Sequence, residues 1–262
     1  MIIQNLHGNP TGLDRDAHRQ LRLNLPVTDW RVANRLNALF VAAVEFGDVA
    51  REFPIVFVKA GQEADGRDQI APVAVMGLVN DQNLYELDGT WRAQYMPAVL
   101  RCYPFCIGRV DDERFAVCVD LTWSGVNNEV GQAVFGADGQ PTEFLADMQK
   151  HMETLETEVQ RTKLVCQRLA ELDVLGEMRF DATFPDGRQH SVDGFLTVDE
   201  AKMRDLPDAT VVALHREGVL GLIHAHWLSM GNMRRLVDWH AQRVPATPPA
   251  QALPVAANSP QA

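Results

Sequence analysis

From Thr142 to Leu172 apolar side chains recur at intervals of three and four: Phe144, Met148, Met152, Leu155, Val159, Cys166, Leu169 and Leu172, with Thr162 the one polar intrusion. That spacing keeps one helical face apolar and predicts a helix over the whole stretch, about 45 Å long at about 1.5 Å per residue. A stripe of this length covers a sheet in its own chain or pairs with a second copy. A homodimer through residues 142–172 is therefore one expectation.

Other segments read with a different period. Within RVANRLNALFVAAVEFGDVAREF, residues 31–53, Leu36, Leu39, Phe40 and Val44 fall on one helical face, and Pro54 ends the run. PIVFV, PVAVMGLV and NLYELDG follow as three β-rich runs and suggest a meander. FAVCVDL, residues 115–121, alternates so that Phe115, Val117, Val119 and Leu121 share one face and Ala116, Cys118 and Asp120 the other. EMRFDATF, the turn PDGR and HSVDGFLTV form a hairpin, after which Asp199 caps the short helix DEAKMRDL. PDATVVALHREG reads as a helix closed by Gly218, and VLGLIHAHWLSMGNMRRLVDWHAQR is mostly helical to about Arg243.

The chain ends follow neither period. Up to about residue 30 the sequence is irregular, with Gly8, Pro10 and Gly12 as breakers, and residues 244–262 form a Pro/Ala-rich flexible tail. These elements predict one α+β domain over residues 1–243, an antiparallel or mixed sheet covered by the long helix and the C-terminal helices.

Charge narrows the function. The chain holds 35 acidic against 24 basic residues, a formal net charge of -11, whereas non-specific nucleic-acid and anionic-membrane binders need a basic face. The N-terminus lacks the pattern of a secretory signal, and no window reaches the roughly 18 apolar residues of a spanning helix. A cytoplasmic protein with no nucleic-acid partner and no membrane insertion is expected, its four cysteines free thiols.

Candidate chemistry concentrates in DGTWRAQYMPAVLRCYPFCIG, residues 88–108. Cys102 and Cys106 would need a regular helical turn to chelate together, and Pro104 between them breaks it. His224 and His226 share a face only on a strand; on a helix they point about 200° apart, and the flanking sequence is helical. No metal site is expected. GVNNEVGQ fits neither the phosphate-binding loop nor the dinucleotide fingerprint, so no cofactor is implied, and Ser124, Ser191 and Ser229 lack the glycines of a nucleophile elbow. Glu45, Glu52, Asp120, Asp199 and Glu200 lie beside apolar runs, where a carboxyl can serve acid–base work or simply cap a helix.

Taken in order, VAAVEFGDVAREFPIVFV, PVAVMGL, QNLYELDGTWRAQYMPAVLRCYPF, VCVDL, DGFLTVDEAKMRDL and LIHAHWLSMGNMRRL resemble the SapC family of bacterial proteins over roughly residues 20–240. Gly47 stands where the family usually has proline, and His224 where it often has an aromatic. The resemblance implies an accessory role in peptide or nutrient uptake or surface-layer-related transport. It also implies a link to TonB-dependent receptors and tryptophan-halogenase-like flavoenzymes, and it assigns no reaction.

The family frame is WRAQYMPAVLRCYPF, in which the two thiols merely sit. Trp91, Arg92, Tyr95, Arg101, Tyr103 and Phe105 are the expected ligand-binding residues, for a peptide or amino-acid-like ligand or a partner enzyme. The plainer reading is that the aromatics are core and the arginines pair with Glu45, Glu52 or Asp120. An alternative function is an enzyme on a small peptide-like substrate with Glu45, Asp120 or His226 as acid–base groups. Their convergence in one pocket would favour it.

Overall fold

A computed structural model describes residues 1–63, 66–109, 115–183 and 189–243, the backbone alone for Arg109 and His190. Its strands are β1 (Pro10–Gly12), β2 (Arg22–Leu23), β3 (Ala38–Phe40), β4 (Ile55–Gln62), β5 (Asp68–Val75), β6 (Glu86–Leu87), β7 (Thr90–Trp91), β8 (Phe105–Arg109), β9 (Phe115–Asp120), β10 (Val126–Asn127), β11 (Gln132–Ala133), β12 (Leu175–Thr183) and β13 (Gln189–Val198). The α-helices are α1 (Phe46–Val49), α2 (Ala98–Arg101), α3 (Glu143–Glu171), α4 (Glu200–Arg204), α5 (Asp208–Arg216), α6 (Val219–Ser229) and α7 (Met233–Arg243).

The principal sheet has the order β12-β13-β4-β5-β3, and every pairing in it is antiparallel. Smaller sheets β1-β9-β8, β10-β2-β11 and β6-β7 surround it, so the fold class is the α+β arrangement read from the sequence. The long helix is observed as α3, whose Leu145, Met152, Cys166 and Leu169 are buried and which packs on β5. Its polar intrusion has a use. Thr162, 1% exposed, accepts a hydrogen bond from Ala43 N at 2.8 Å and donates one to Glu158 O at 2.6 Å. Of the stripe, Met152, Cys166 and Leu169 are buried in the chain's own core, and Phe144, Met148, Leu155 and Leu172 pack half-buried against it; on the outer face Leu164 is 65% exposed.

Residues 31–53 depart from the helix expected there. Trp30–Ala33 and Ala43–Glu45 are single 3-10 turns, α1 is one turn long, and Ala38–Phe40 is strand β3, paired to Val73–Val75 of β5. Val44, placed on the apolar face by the helical reading, is 70% exposed. The open edge of β5 outweighs a weak local preference. The meander is corrected as well: β4 and β5 form a hairpin, but NLYELDG contributes only β6, which pairs with β7. On β9 the alternation does not separate an inner from an outer face, because Val119, Cys118 and Asp120 are all buried while Phe115 is 43% exposed. The N-terminal segment, though short of long elements, is anchored through β1 on β9 and β2 between β10 and β11.

The β12–β13 hairpin forms as expected, its PDGR turn lying outside the described residues. Asp199 caps α4 by accepting from Ala201 N at 2.7 Å and Lys202 N at 3.2 Å. Gly218 closes α5 with φ +78°, and a 3-10 turn at Met230–Asn232 separates α6 from α7. The tail 244–262 lies outside the described residues.

Candidate functional site

The frame begins at a two-residue turn. Asp88 and Gly89 have φ of 50° and 87°, the positive pair that a tight hairpin needs, and they set Trp91 opposite Glu86. A side chain at Gly89 would also press on Asp29, its Cβ 2.9 Å from the carboxylate. Trp91 then packs 6.2 Å from Phe53 and 6.0 Å from Tyr85, whose own rings stack at 4.1 Å. Its indole N–H donates to Tyr95 O at 3.0 Å, folding the frame back on itself.

Two carboxylates lock this segment from beneath. Glu52 accepts from Gln94 N at 3.0 Å and Tyr95 N at 2.7 Å. Glu45, 5% exposed, accepts at 2.7 Å from both the Tyr95 hydroxyl and Ala98 N, the latter in the first turn of α2, and at 3.0 Å from Ala42 N. Burial and then the Glu45 carboxylate raise the Tyr95 pKa. These acids therefore bind backbone N–H groups and a phenol, not the arginines.

Arg92 lies 3.7 Å from the centroid of Trp239 on α7 and donates to Leu84 O at 3.2 Å. Arg101 is exposed and lies 5.6 Å from the Tyr95 ring. Neither is ion-paired to a carboxylate among the described residues. Trp91, Arg92 and Tyr95 are half-buried, whereas Tyr103 and Phe105 are 4% and 1% exposed and belong to the core. The six frame residues thus divide into an outer group of four and an inner pair.

The inner pair leads to Asp120. This carboxylate, 1% exposed, accepts from Gly8 N at 3.1 Å, Asn9 N at 2.9 Å, Thr122 N at 3.1 Å, the Thr122 hydroxyl at 2.6 Å and the Tyr103 hydroxyl at 3.1 Å. Burial raises its pKa, but the hydrogen bonds from Thr122, Asn9 and Gly8 together outweigh it, and the net effect is to lower it. Asp120 ties the N-terminal segment to β9.

His226 is fully buried on α6. Its Nδ1 lies 2.8 Å from Ile55 O, and its Nε2 accepts from Val198 N at 3.1 Å, which places the proton on Nδ1. The register Leu196↔Phe57 continued by two residues sets Val198 opposite Ile55, so the imidazole stands in for a rung between β13 and β4. The rest of the rung is served from the same helix: Ile55 N donates to Ser229 Oγ at 2.9 Å, and Trp227 Nε1 donates to Val198 O at 2.7 Å. Three side chains of α6 satisfy all four backbone groups where the strands part. His224 is exposed on another face of the helix. Among the described residues no cluster of three or more His, Cys, Asp or Glu is placed to hold a metal.

Glu45, Asp120 and His226 are thus each committed to a different junction, and five surface cavities among the described residues are lined by none of them. Cys106 and Cys118 face each other across β8 and β9, and Cys102 donates to Ala98 O at 3.3 Å. Burial pushes the thiol pKa up to about 11 for Cys102 and about 12 for Cys106 and Cys166. Sequence reasoning passed over Trp239, Arg235 and Arg243, whose spacing of four along a helix was the available signal.

The fold and frame define an α+β protein with an aromatic–arginine surface held by the buried Glu45 and the half-buried Glu52. The SapC family model matches residues 13–236, and the chain belongs to the SapC family. No curated protein and no solved structure matches it. No helix among the described residues is long and apolar enough to cross a membrane.

Proposed function

We propose that this chain is an accessory or binding protein that engages a peptide, an amino-acid-like ligand or a partner enzyme through Trp91, Arg92, Tyr95 and Arg101. Its setting is cytoplasmic, in peptide or nutrient uptake or surface-layer-related transport, with the TonB-dependent receptor and tryptophan-halogenase-like systems as its context. One observation carries the reading: Glu45 and Glu52 hold the frame by its backbone, and among the described residues the guanidinium groups of Arg92 and Arg101 have no carboxylate partner. A preorganised surface with unpaired arginines beside aromatic faces suits recognition of an anionic or aromatic group. Tyr103 and Phe105 support that surface from the core.

The test is native mass spectrometry of protein isolated gently from its own host, wild type beside Arg92→Ala and Arg101→Ala. A small-molecule adduct or second protein present on the wild type and lost from the variants is the expected result. Binding that survives both substitutions would overturn the assignment.

A further inference from the structure

Arg235, Trp239 and Arg243 lie four residues apart on α7 and so share one face of that helix. The face closes on Arg92. The Arg92 guanidinium stacks 3.7 Å from the Trp239 centroid, and that of Arg235 lies 5.8 Å from the same ring. Arg235 donates to Glu52 O at 2.9 Å and Arg243 to Asn83 O at 2.7 Å, one residue before the carbonyl that Arg92 uses. Each guanidinium has five N–H donors, so one backbone bond apiece leaves donors on all three.

Among the described residues none of the three has a carboxylate within ion-pair distance. Of the acids near them, Glu52 accepts from Gln94 N and Tyr95 N and Glu86 from Gly89 N, while Asp88 lines the Arg243 groove without an ion pair to it. Burial and then the charge of Arg243 lower the Arg92 pKa, as expected where like charges meet without a counter-ion. Arg243 also lines an open groove of about 660 Å³. Of the other two arginines there, Arg31 is paired with Asp29 and Arg35 with Asp81, whereas Arg243 has no ion pair among the described residues.

We propose that Arg92, Arg235 and Arg243 form an anion site beside the Trp239 ring that takes the free carboxylate of a peptide or amino-acid-like ligand. This names the ligand end held in the reading above and rests on it. Stacking on an indole holds a guanidinium flat with its N–H edge outward, the geometry that pairs two parallel donors with a planar carboxylate. The net charge of -11 disfavours polyanions as the occupant.

The experiment titrates ¹⁵N-labelled full-length protein with N-acetylglycine, with N-acetylglycinamide as the probe lacking a carboxylate, and with inorganic phosphate, following the indole N–H of Trp239. The proposal expects a saturable shift with N-acetylglycine, none with N-acetylglycinamide, and binding about tenfold weaker in Arg243→Gln and Arg92→Lys, the loss of about one charge-assisted hydrogen bond. No response of the wild type to N-acetylglycine overturns it without recourse to a variant. A response to phosphate alone overturns the carboxylate class, and unchanged affinity in both variants overturns the site. Capture of a host ligand that depends on Arg101 while N-acetylglycine leaves Trp239 unmoved would preserve the binding function and remove this site. N-acetylglycine binding with host capture indifferent to Arg92→Ala and Arg101→Ala would preserve the site and remove that function.

Discussion

Ile55 and Val198 face each other across the seam between β4 and β13 with the imidazole of His226 between them, its two nitrogens 2.8 Å from Ile55 O and 3.1 Å from Val198 N. A helix side chain here does the work of a sheet hydrogen bond. The arrangement needs a neutral ring, since Nε2 must accept while Nδ1 donates. It also explains why β4 and β13 pair at Leu196↔Phe57 without zipping further toward α6.

Removing the ring strands two buried backbone groups. His226→Ala is expected to destabilise the protein by about 3 to 5 kcal/mol, combining two unsatisfied groups with a cavity. Burial lowers the His226 pKa from 6.5 to about 4. The unfolded chain therefore binds a proton at pH values where the folded one does not. The stability from the neutral ring is complete above about pH 6.5 and lost as pH falls through about 4, roughly 3 kcal/mol between pH 7 and pH 4. Denaturant unfolding across this range, wild type beside His226→Ala, checks both effects; equal pH slopes in the two proteins would rule out this role.

Much of this was legible beforehand. The period of α3, the β12–β13 hairpin, the Asp199 cap and the Gly218 stop all come from local chemistry that acts within a few residues. What escaped was long-range. Ala38–Phe40 is a strand because β5 offers an edge, and Thr162 is buried because Ala43 N, 119 positions away, needs an acceptor. The frame aromatics were visible as a cluster, but which arginines stay unpaired depends on Glu45 and Glu52 reaching backbone N–H groups instead. Arg92 found its aromatic partner on α7, in a segment read only for its helical spacing.

Asp120 titrates in a different window. Its folded pKa lies below the ordinary 3.8, so its contribution is present above about that value and lost as pH falls through the folded one. Asp120→Asn replaces one accepting oxygen with an NH₂ that meets donors from Gly8, Asn9, Thr122 or Tyr103. The expected cost at neutral pH is about 2 kcal/mol, and the variant should lack part of the acid-limb slope below pH 4. Loosening begins at β1, so faster amide exchange at Thr11 and Leu13, whose N–H groups face β9, than in the wild type is the confirming observation. Unaltered exchange there would contradict the tie between Asp120 and the N-terminal segment.

The thiols are expected to be inert in the folded protein. With burial raising Cys102 to about 11 and Cys106 and Cys166 to about 12, the thiolate fraction at pH 8 is small and access is closed. An aromatic disulfide reagent should label all four cysteines in denaturant and label the native protein only at the rate of opening. Prompt native labelling of Cys102 or Cys106 would instead point to a reactive site within the frame.

Glu45 separates holding the frame from touching a ligand. Its carboxylate accepts from Ala42 N, Ala98 N and the Tyr95 hydroxyl, whereas Arg101 lies 5.6 Å from the centre of the Tyr95 ring. Tyr95→Phe removes a single hydrogen bond to a charged acceptor and should cost about 1.5 to 3 kcal/mol; Glu45→Ala leaves Ala42 N and Ala98 N without their acceptor and should cost more. Limited proteolysis reports the difference, because the chain around Gln94, already exposed, is released when its anchors go. Cleavage near residues 92–98 should therefore rise in Glu45→Ala above Tyr95→Phe and wild type. If Glu45→Ala were as protected and as stable as the wild type, Glu45 would not be the lock, and a direct role in chemistry would become the better account of a buried carboxylate at this position.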